Sequence, residues 1–237
     1  MQAKVFITGN SSGLGYSLSE AYLAEAWQVY GLSRRGCEDL GGDLHDIKCD
    51  LNNLDEIPAA MATLFAHVQE LDLVYLNAGV LGELTRIIDI TQKQLTQIMN
   101  VNVWSNKVIV DWLLNSNIRV KQIVAISSGA ALSANKGWGC YSLSKIALNK
   151  LMELYAEEYT DTHFCSLAPG LVDTAIQDYL CDKSGVLRDE FPGVKKFREA
   201  RGSAAMPSAK QVAKSVMRIA PRLMKLRSGS YADIRTM

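Results

Sequence analysis

Several ingredients are scarce in this chain, and each scarcity closes off a class of function. Its 237 residues hold five cysteines, Cys37, Cys49, Cys140, Cys165 and Cys181. They are odd in number and scattered, with no CxxC pair. That excludes a zinc ribbon and a disulfide framework, and fits reduced thiols in a cytoplasm. The three histidines are dispersed, so no metal site is expected. Neither charge is in excess, 25 Lys plus Arg against 25 Asp plus Glu. A general nucleic-acid or membrane-surface binder would need a basic surplus. No run approaches the roughly 18 apolar residues of a membrane span. The opening "MQAKVFITG" lacks a long apolar core and a small-residue cleavage site, and reads as a first strand, not a signal peptide. Pro- or Ser-rich linkers are missing too, which favours one domain over residues 1–237.

What is present is a buried-core composition, 48% hydrophobic, and a repeating pattern. Short apolar runs, "KVFITG" (4–9), "QVYGLS" (28–33), "DIKCDL" (46–51), "LDLVYLNAG" (71–79), "KQIVAISS" (121–128) and "HFCSLAPG" (163–170), alternate with stretches of helical spacing. Continuous rather than alternating strands indicate burial on both faces. The expected architecture is α/β, a doubly wound parallel sheet of about seven strands with helices on both faces, in three layers. Residues 91–115 read as one long helix with Thr91 as its N-cap. Pro207 is expected in the first turn of a late helix, and "SGSYADIRTM" as a final edge strand. Residues 175–206, charged, Gly-punctuated and weakly periodic, read as an inserted loop hinged near Gly185 or Gly202.

The turn "TGNSSGLG" (8–15) carries Gly9, Gly13 and Gly15 between the first strand and the first helix. It fits neither the Walker pattern nor strict G-x-G-x-x-G. The physics is the same: glycines let the backbone approach a pyrophosphate at a helix N-terminus. A residue reading the ribose is expected about twenty positions on. Ser33 stands 18 after Gly15 and is followed by Arg34 and Arg35. An aspartate there would accept from a free 2′-hydroxyl, whereas two arginines suit a 2′-phosphate. NADPH is therefore favoured over NADH.

Ser128 ends its strand at the carboxyl edge, where open α/β sheets hold ligands, and lies 13 residues before Tyr141. Lys145 follows four later, one helical turn on. The chain repeats that spacing in Ser166, Tyr179 and Lys183, but Ser166 is inside a strand and should point into the sheet. Reduction of a carbonyl needs a proton at the developing alkoxide. An unperturbed tyrosine, pKa about 10, is slow to supply it near neutral pH. A nearby lysine ammonium would pull that pKa down, and a serine hydroxyl would polarise the carbonyl oxygen. Trp138 suits the substrate pocket and plain packing equally, and Cys140 reads as a small buried hydrophobe.

Taken in order, "TGNSSGLG", "NAG" (Asn77 to Gly79), "NVN" ending at Asn102, Ser128, "YSLSK" and "PGLVDT" resemble the short-chain dehydrogenase/reductase family over essentially the whole chain. "ISSGA", "GWG", "APGLVDT" and "SRR" are similar to bacterial benzil reductases, near the sepiapterin reductase branch, which prefer NADPH. The resemblance implies a Rossmann fold and a reductase acting on a small-molecule carbonyl. It implies Tyr141 as proton donor, Lys145 as its pKa modifier and ribose ligand, and Ser128 as the group orienting the carbonyl. Asn102 would kink its helix and hold a water in a relay to Lys145. Ser11, Ser12 and Leu14 share the phosphate turn; Asp50 and Leu51 would meet the adenine, and Asn77, Ala78 and Gly79 the adenosine ribose. Pro169, Gly170, Val172 and Thr174 would frame the nicotinamide. Two departures stand out: Ser12 occupies a place where many NADP-using relatives carry a basic residue, and the C-terminal "DGG" is replaced by "YADIRTM". An NAD-linked alcohol dehydrogenase and a non-catalytic nucleotide sensor are the alternatives. Relatives pair through the helices that 91–115 and 141–159 would form, implying a homodimer or homotetramer, yet Trp104, Trp112 and Leu113 equally suit a core.

Overall fold

Strands covered on both faces bury their side chains, and the computed structural model shows this for the central strands, 5–8, 29–33, 73–76, 122–126 and 164–168, but not for the edges, 44–48 and 231–233. It describes residues 2–182, 191 and 193–237. The strands are β1 (Lys4–Thr8), β2 (Gln28–Ser33), β3 (Leu44–Lys48), β4 (Glu70–Leu71), β5 (Leu73–Leu76), β6 (Arg119–Val120), β7 (Gln122–Ile126), β8 (His163–Ala168) and β9 (Tyr231–Asp233). Seven form one sheet in the order β3-β2-β1-β5-β7-β8-β9, every pair parallel. β4 and β6 pair separately as a two-residue ladder.

The helices are α1 (Gly13–Ala24), α2 (Ile57–Leu64), α3 (Gln92–Met99), α4 (Ser105–Asn115), α5 (Gly139–Glu158), α6 (Ala175–Asp182), α7 (Gly193–Ala200) and α8 (Ala209–Leu223). Period-two alternation sends Phe6, Val74, Leu76, Ile123 and Ala125 to one face, against α2, α4 and α5. Val5, Ile7, Leu73, Tyr75 and Val124 go to the other, against α1 and α8. The result is three layers, α/β/α. A third apolar cluster lies off the sheet and joins Leu81, Trp138, Leu180, Phe191 and Val194, with Tyr141 and Phe197 packed on it.

Local chemistry moves several expected boundaries. The stretch 91–115 is not one α-helix: α3 runs into a π-helical segment, Asn100–Trp104, before α4. Thr91 does cap it, in a capping box with Gln94. Pro207 falls before the helix rather than in its first turn, because Ser208 and Gln211 form the capping box of α8. β3 lies two residues earlier than expected, leaving Cys49 to Leu51 beyond the sheet. Leu113 is buried and Trp112 packs on the core, while Trp104 is exposed. Lys183 and Gly185 lie outside the described residues; Gly202 has a positive φ of 76° and open space around it. No described helix is long and apolar enough to cross a membrane.

Candidate active site

The chain leaves β1 and must turn into α1 beneath the sheet's carboxyl edge, beside the crossover from β3 to β5, where the strand order reverses. Gly9 makes the turn at φ 69°; a Cβ there would lie 2.9 Å from the Ala78 Cα. One on Gly15 would lie 2.3 Å from the Gly9 carbonyl oxygen. These positions exclude side chains so that two backbones can close. Thr8 laces them together: its Oγ1 accepts from the Asn77 and Ala78 amides, both at 3.0 Å, and its carbonyl accepts from Asn77 Nδ2 at 2.9 Å. Ser12, the N-cap of α1, makes no side-chain cap bond, so the first amides of α1 keep their donors for an anion.

A cavity of about 890 Å³ runs along this edge. At one end stand Ser33, Arg34, Arg35, Asp50 and Leu51, and beside them Gly9, Ser11, Ser12, Gly13 and Leu14. The middle is walled by Asn77, Ala78 and Gly79 and by Pro169, Gly170, Val172 and Thr174. At the far end are Ser128, Tyr141 and Lys145. Of the expected residues, only Gly15 and Asn102 lie behind the wall rather than in it. The glycine cradle, the uncapped helix start and the length of the cavity fit a dinucleotide.

Asn102 has no exposed surface. Its Oδ1 accepts from the Val80 amide at 2.8 Å, and its Nδ2 donates to the Val80 carbonyl and to Ser144 Oγ, each at 2.9 Å. Ser144 Oγ in turn donates to the Tyr141 carbonyl at 2.7 Å. The π segment thus ties the loop after β5 to the first turn of α5. At the end of the π segment the Ser105 amide donates to the Asn100 carbonyl, and the Asn102 carbonyl accepts from Asn106 Nδ2 at 2.8 Å. A Cβ on Gly79 would sit 3.3 Å from Lys145 Nζ and 3.4 Å from Asn102 Oδ1, so these three groups adjoin.

Lys145 is 3% exposed and donates to the Ile126 carbonyl at 2.8 Å. Burial lowers its pKa to about 8. Tyr141 departs from expectation. Burial pushes its phenol up from the ordinary value, and the hydrogen bond with Ser128 opposes that only in part. Lys145 Nζ stands 5.7 Å from the tyrosine ring centroid and gives one of its three donors to Ile126. Ser128 also caps the turn Gly129–Ala131, accepting from the Ala130 amide at 3.2 Å. Ser166 is 1% exposed and its hydroxyl has no hydrogen-bond partner among the described residues, as fits a serine inside a central strand.

Trp138 belongs to both readings at once. It packs in the third cluster, lines the cavity, meets Tyr141 edge-on at 5.9 Å and stacks on Phe197 at 5.2 Å. Phe197, Gln177 and Arg235 line the cavity and were not anticipated. For Arg235 a signal existed: β9 joins β8, so a residue just past its end falls beside Pro169 and Gly170. No pattern in the weakly periodic 175–206 marked Phe197 or Gln177.

A parallel sheet with this turn and this cavity defines an NAD(P)-binding α/β oxidoreductase. The model of the short chain dehydrogenases matches residues 3–184, and the chain belongs to that family, whose members use NAD(P)(H). It is 25% identical to a benzil reductase ((S)-benzoin forming) of Bacillus subtilis over 89% of this chain and 90% of the relative. It is 31% identical to a second benzil reductase, from Saccharomyces cerevisiae, over 73% of each. In fold it superimposes on a short chain dehydrogenase/reductase of Saccharomyces cerevisiae with a TM-score of 0.85, at 22% identity, covering 98% of this chain and 96% of that one.

Proposed function

We propose that this oxidoreductase is an NADPH-dependent carbonyl reductase that converts an aryl-substituted ketone or diketone of modest size into a secondary alcohol. The observation that carries the reading is one cavity lined by two exposed arginines, Arg34 and Arg35, at one end and by Ser128, Tyr141 and Lys145 at the other. The aromatic wall of Trp138 and Phe197 beside Tyr141 supports the aryl substituent, as do the two benzil reductases among its relatives.

The nicotinamide would supply the hydride. The chain's own residues do the rest. Ser128 donates a hydrogen bond to the carbonyl oxygen and polarises it. Tyr141 gives its phenolic proton to the developing alkoxide; a raised pKa keeps that proton in place at neutral pH, the form that reduction consumes. Lys145, still largely cationic at pH 7 with a pKa of about 8, stabilises the phenolate left behind and holds the ribose. Asn102 fixes the start of α5 through Ser144, and so sets where Tyr141 and Lys145 stand. The phosphate turn, Asp50 with Leu51, the segment Asn77 to Gly79 and the segment Pro169 to Thr174 bind the cofactor. Residues 1–237 act as one domain in the cytoplasm, with 175–206 as the insertion closing the substrate end, and any homodimer or homotetramer would form through α4 and α5.

A panel of ketones and diketones, benzil included, assayed by NADPH and NADH consumption tests this. We expect aryl ketones to be reduced with NADPH preferred. Failure to turn over any carbonyl with NADPH would overturn the reading, and equal rates with NADH would move it to the NAD-linked alternative.

A further inference from the structure

Three segments of the cofactor end converge on one carboxylate that the mechanism does not use. Asp46, in β3, accepts from Asn10 Nδ2 at 2.7 Å through Oδ1 and from the Cys37 amide at 2.8 Å through Oδ2. Asn10 belongs to the phosphate turn, and Cys37 closes the loop that bears Arg34 and Arg35. The surroundings are shaped around this carboxylate. Gly31 is paired with Asp46 across the sheet, and a Cβ there would lie 2.1 Å from Asn10 Nδ2 and 2.4 Å from Asp46 Oδ1. Gly36 has a φ of 75°, and a Cβ on it would lie 3.0 Å from Asp46 Oδ2. Asn10 has no exposed surface, and its Oδ1 has no hydrogen-bond partner among the described residues. Its amide is held by Asp46.

The arginine loop is therefore pinned at both ends. Before the arginines, Ser33 Oγ accepts from the Gly36 amide at 3.2 Å and the Ser33 carbonyl accepts from Cys49. After them, Asp46 holds Cys37. Arg34 and Arg35 are exposed and make no ion pair among the described residues, so only the backbone fixes where their guanidinium groups begin.

Resting on the NADPH reading above, we propose that Asp46 is a positioning residue for the 2′-phosphate: it locks the arginine loop to the pyrophosphate turn at a set separation. By charge alone a carboxylate in this place opposes a phosphate. Its contribution to NADP binding must therefore come through its two hydrogen bonds, and the two effects have opposite signs. Asp46→Asn removes the charge but keeps an acceptor for Cys37, and a half-turn of the Asn10 amide presents its free Oδ1 to the new donor. Asp46→Ser is too short to reach both partners.

Dissociation constants for NADP⁺ and NAD⁺, measured by calorimetry, read this directly. We expect the wild type to favour NADP⁺, Asp46→Ser to lower that ratio about tenfold, one decade of relative affinity, and Asp46→Asn to keep or raise it. A wild-type ratio retained in Asp46→Ser, or lost equally in both variants, would overturn the positioning role while leaving the NADPH reading intact. A wild type without preference for NADP⁺ would remove that reading and the proposal with it. Should circular dichroism show Asp46→Ser unfolded, Asn10→Ser cuts only the turn side. It should lower the ratio about threefold, and an unchanged ratio there would equally overturn the proposal.

Discussion

The two ends of the cavity are built on different principles. The end proposed for the cofactor hangs from strand termini: β1, β2, β5 and β8 stop at one edge, and the residues just past them are laced by hydrogen bonds with the backbone, through Thr8, Asn77 and Gly9. The end proposed for the substrate is a patch of side-chain packing, in which Trp138, Phe191, Val194 and Phe197 form an apolar cluster detached from the sheet. Strand ends fix atoms through the backbone, so few side chains there are free to vary. A detached cluster fixes only volume and apolarity, and many sequences satisfy those. Tyr141 belongs to both: α5 holds it, and the third cluster packs on its ring.

The largest effect should come where the two ends meet. Tyr141→Phe keeps the ring in that cluster and removes the proton. Turnover should fall by roughly 10²–10⁴-fold, while NADPH binding, followed by fluorescence, stays within a factor of two or so. A variant turning over at near the wild-type rate would remove the tyrosine from its assigned role.

Next in size is the buried cation. Lys145 has a pKa of about 8 in the fold, against 10.5 in the unfolded chain. Below pH 8 both states carry the proton, and the fold bears the full cost of burying a charge. Between pH 8 and about 10.5 the unfolded chain binds more protons, so stability rises with pH. Lys145→Met should therefore stabilise the protein at pH 7, by up to about 3 kcal/mol, and abolish that rise. Urea unfolding at pH 7 and pH 9.5 checks it, and an identical pH dependence in the two proteins would contradict the assigned burial. The same variant should lose most of its turnover, as expected where a buried cation on α5 gives up stability for chemistry.

The packed end predicts a smaller and differently shaped loss. Phe197→Ala removes the ring stacked on Trp138. We expect KM for an aryl ketone to rise about tenfold, with the dissociation constant for NADPH unchanged. A matched loss in NADPH binding would show that the two ends are not separable.

This difference also sets what could be read in the letters. Glycines that a Cβ would break are demanded by backbone geometry, so the turn at Gly9 was legible; Ser128, Tyr141 and Lys145 were singled out by their spacing together with a serine placed at a strand's end, which the repeat at Ser166 lacks. Parallel strands buried on both faces show as continuous apolar runs, which is why the sheet was legible too. Periodicity did not reveal the π segment at Asn100–Trp104, since it keeps the apolar spacing of an ordinary helix; only the family resemblance implied a kink at Asn102. The bond from Asn10 to Asp46 spans 36 residues and leaves no local pattern. Phe197 was hidden because packing alone selects it.

Ser128 and Ser166 give the finest comparison, because the same 13-residue spacing precedes a tyrosine in each case. One serine lies past the end of β7 and lines the cavity; the other lies within β8, its hydroxyl buried with nothing to bond. An unpartnered buried hydroxyl is a cost, and removing it leaves no orphan behind. Ser166→Ala should therefore raise stability by about 1 kcal/mol, close to the net worth of one hydrogen bond, with turnover and cofactor binding unchanged. Ser128→Ala should do the reverse, losing turnover with little change in stability. Denaturant midpoints and kcat measured on both variants would settle it, and a loss of activity in Ser166→Ala would mean that position within a strand does not separate the two serines.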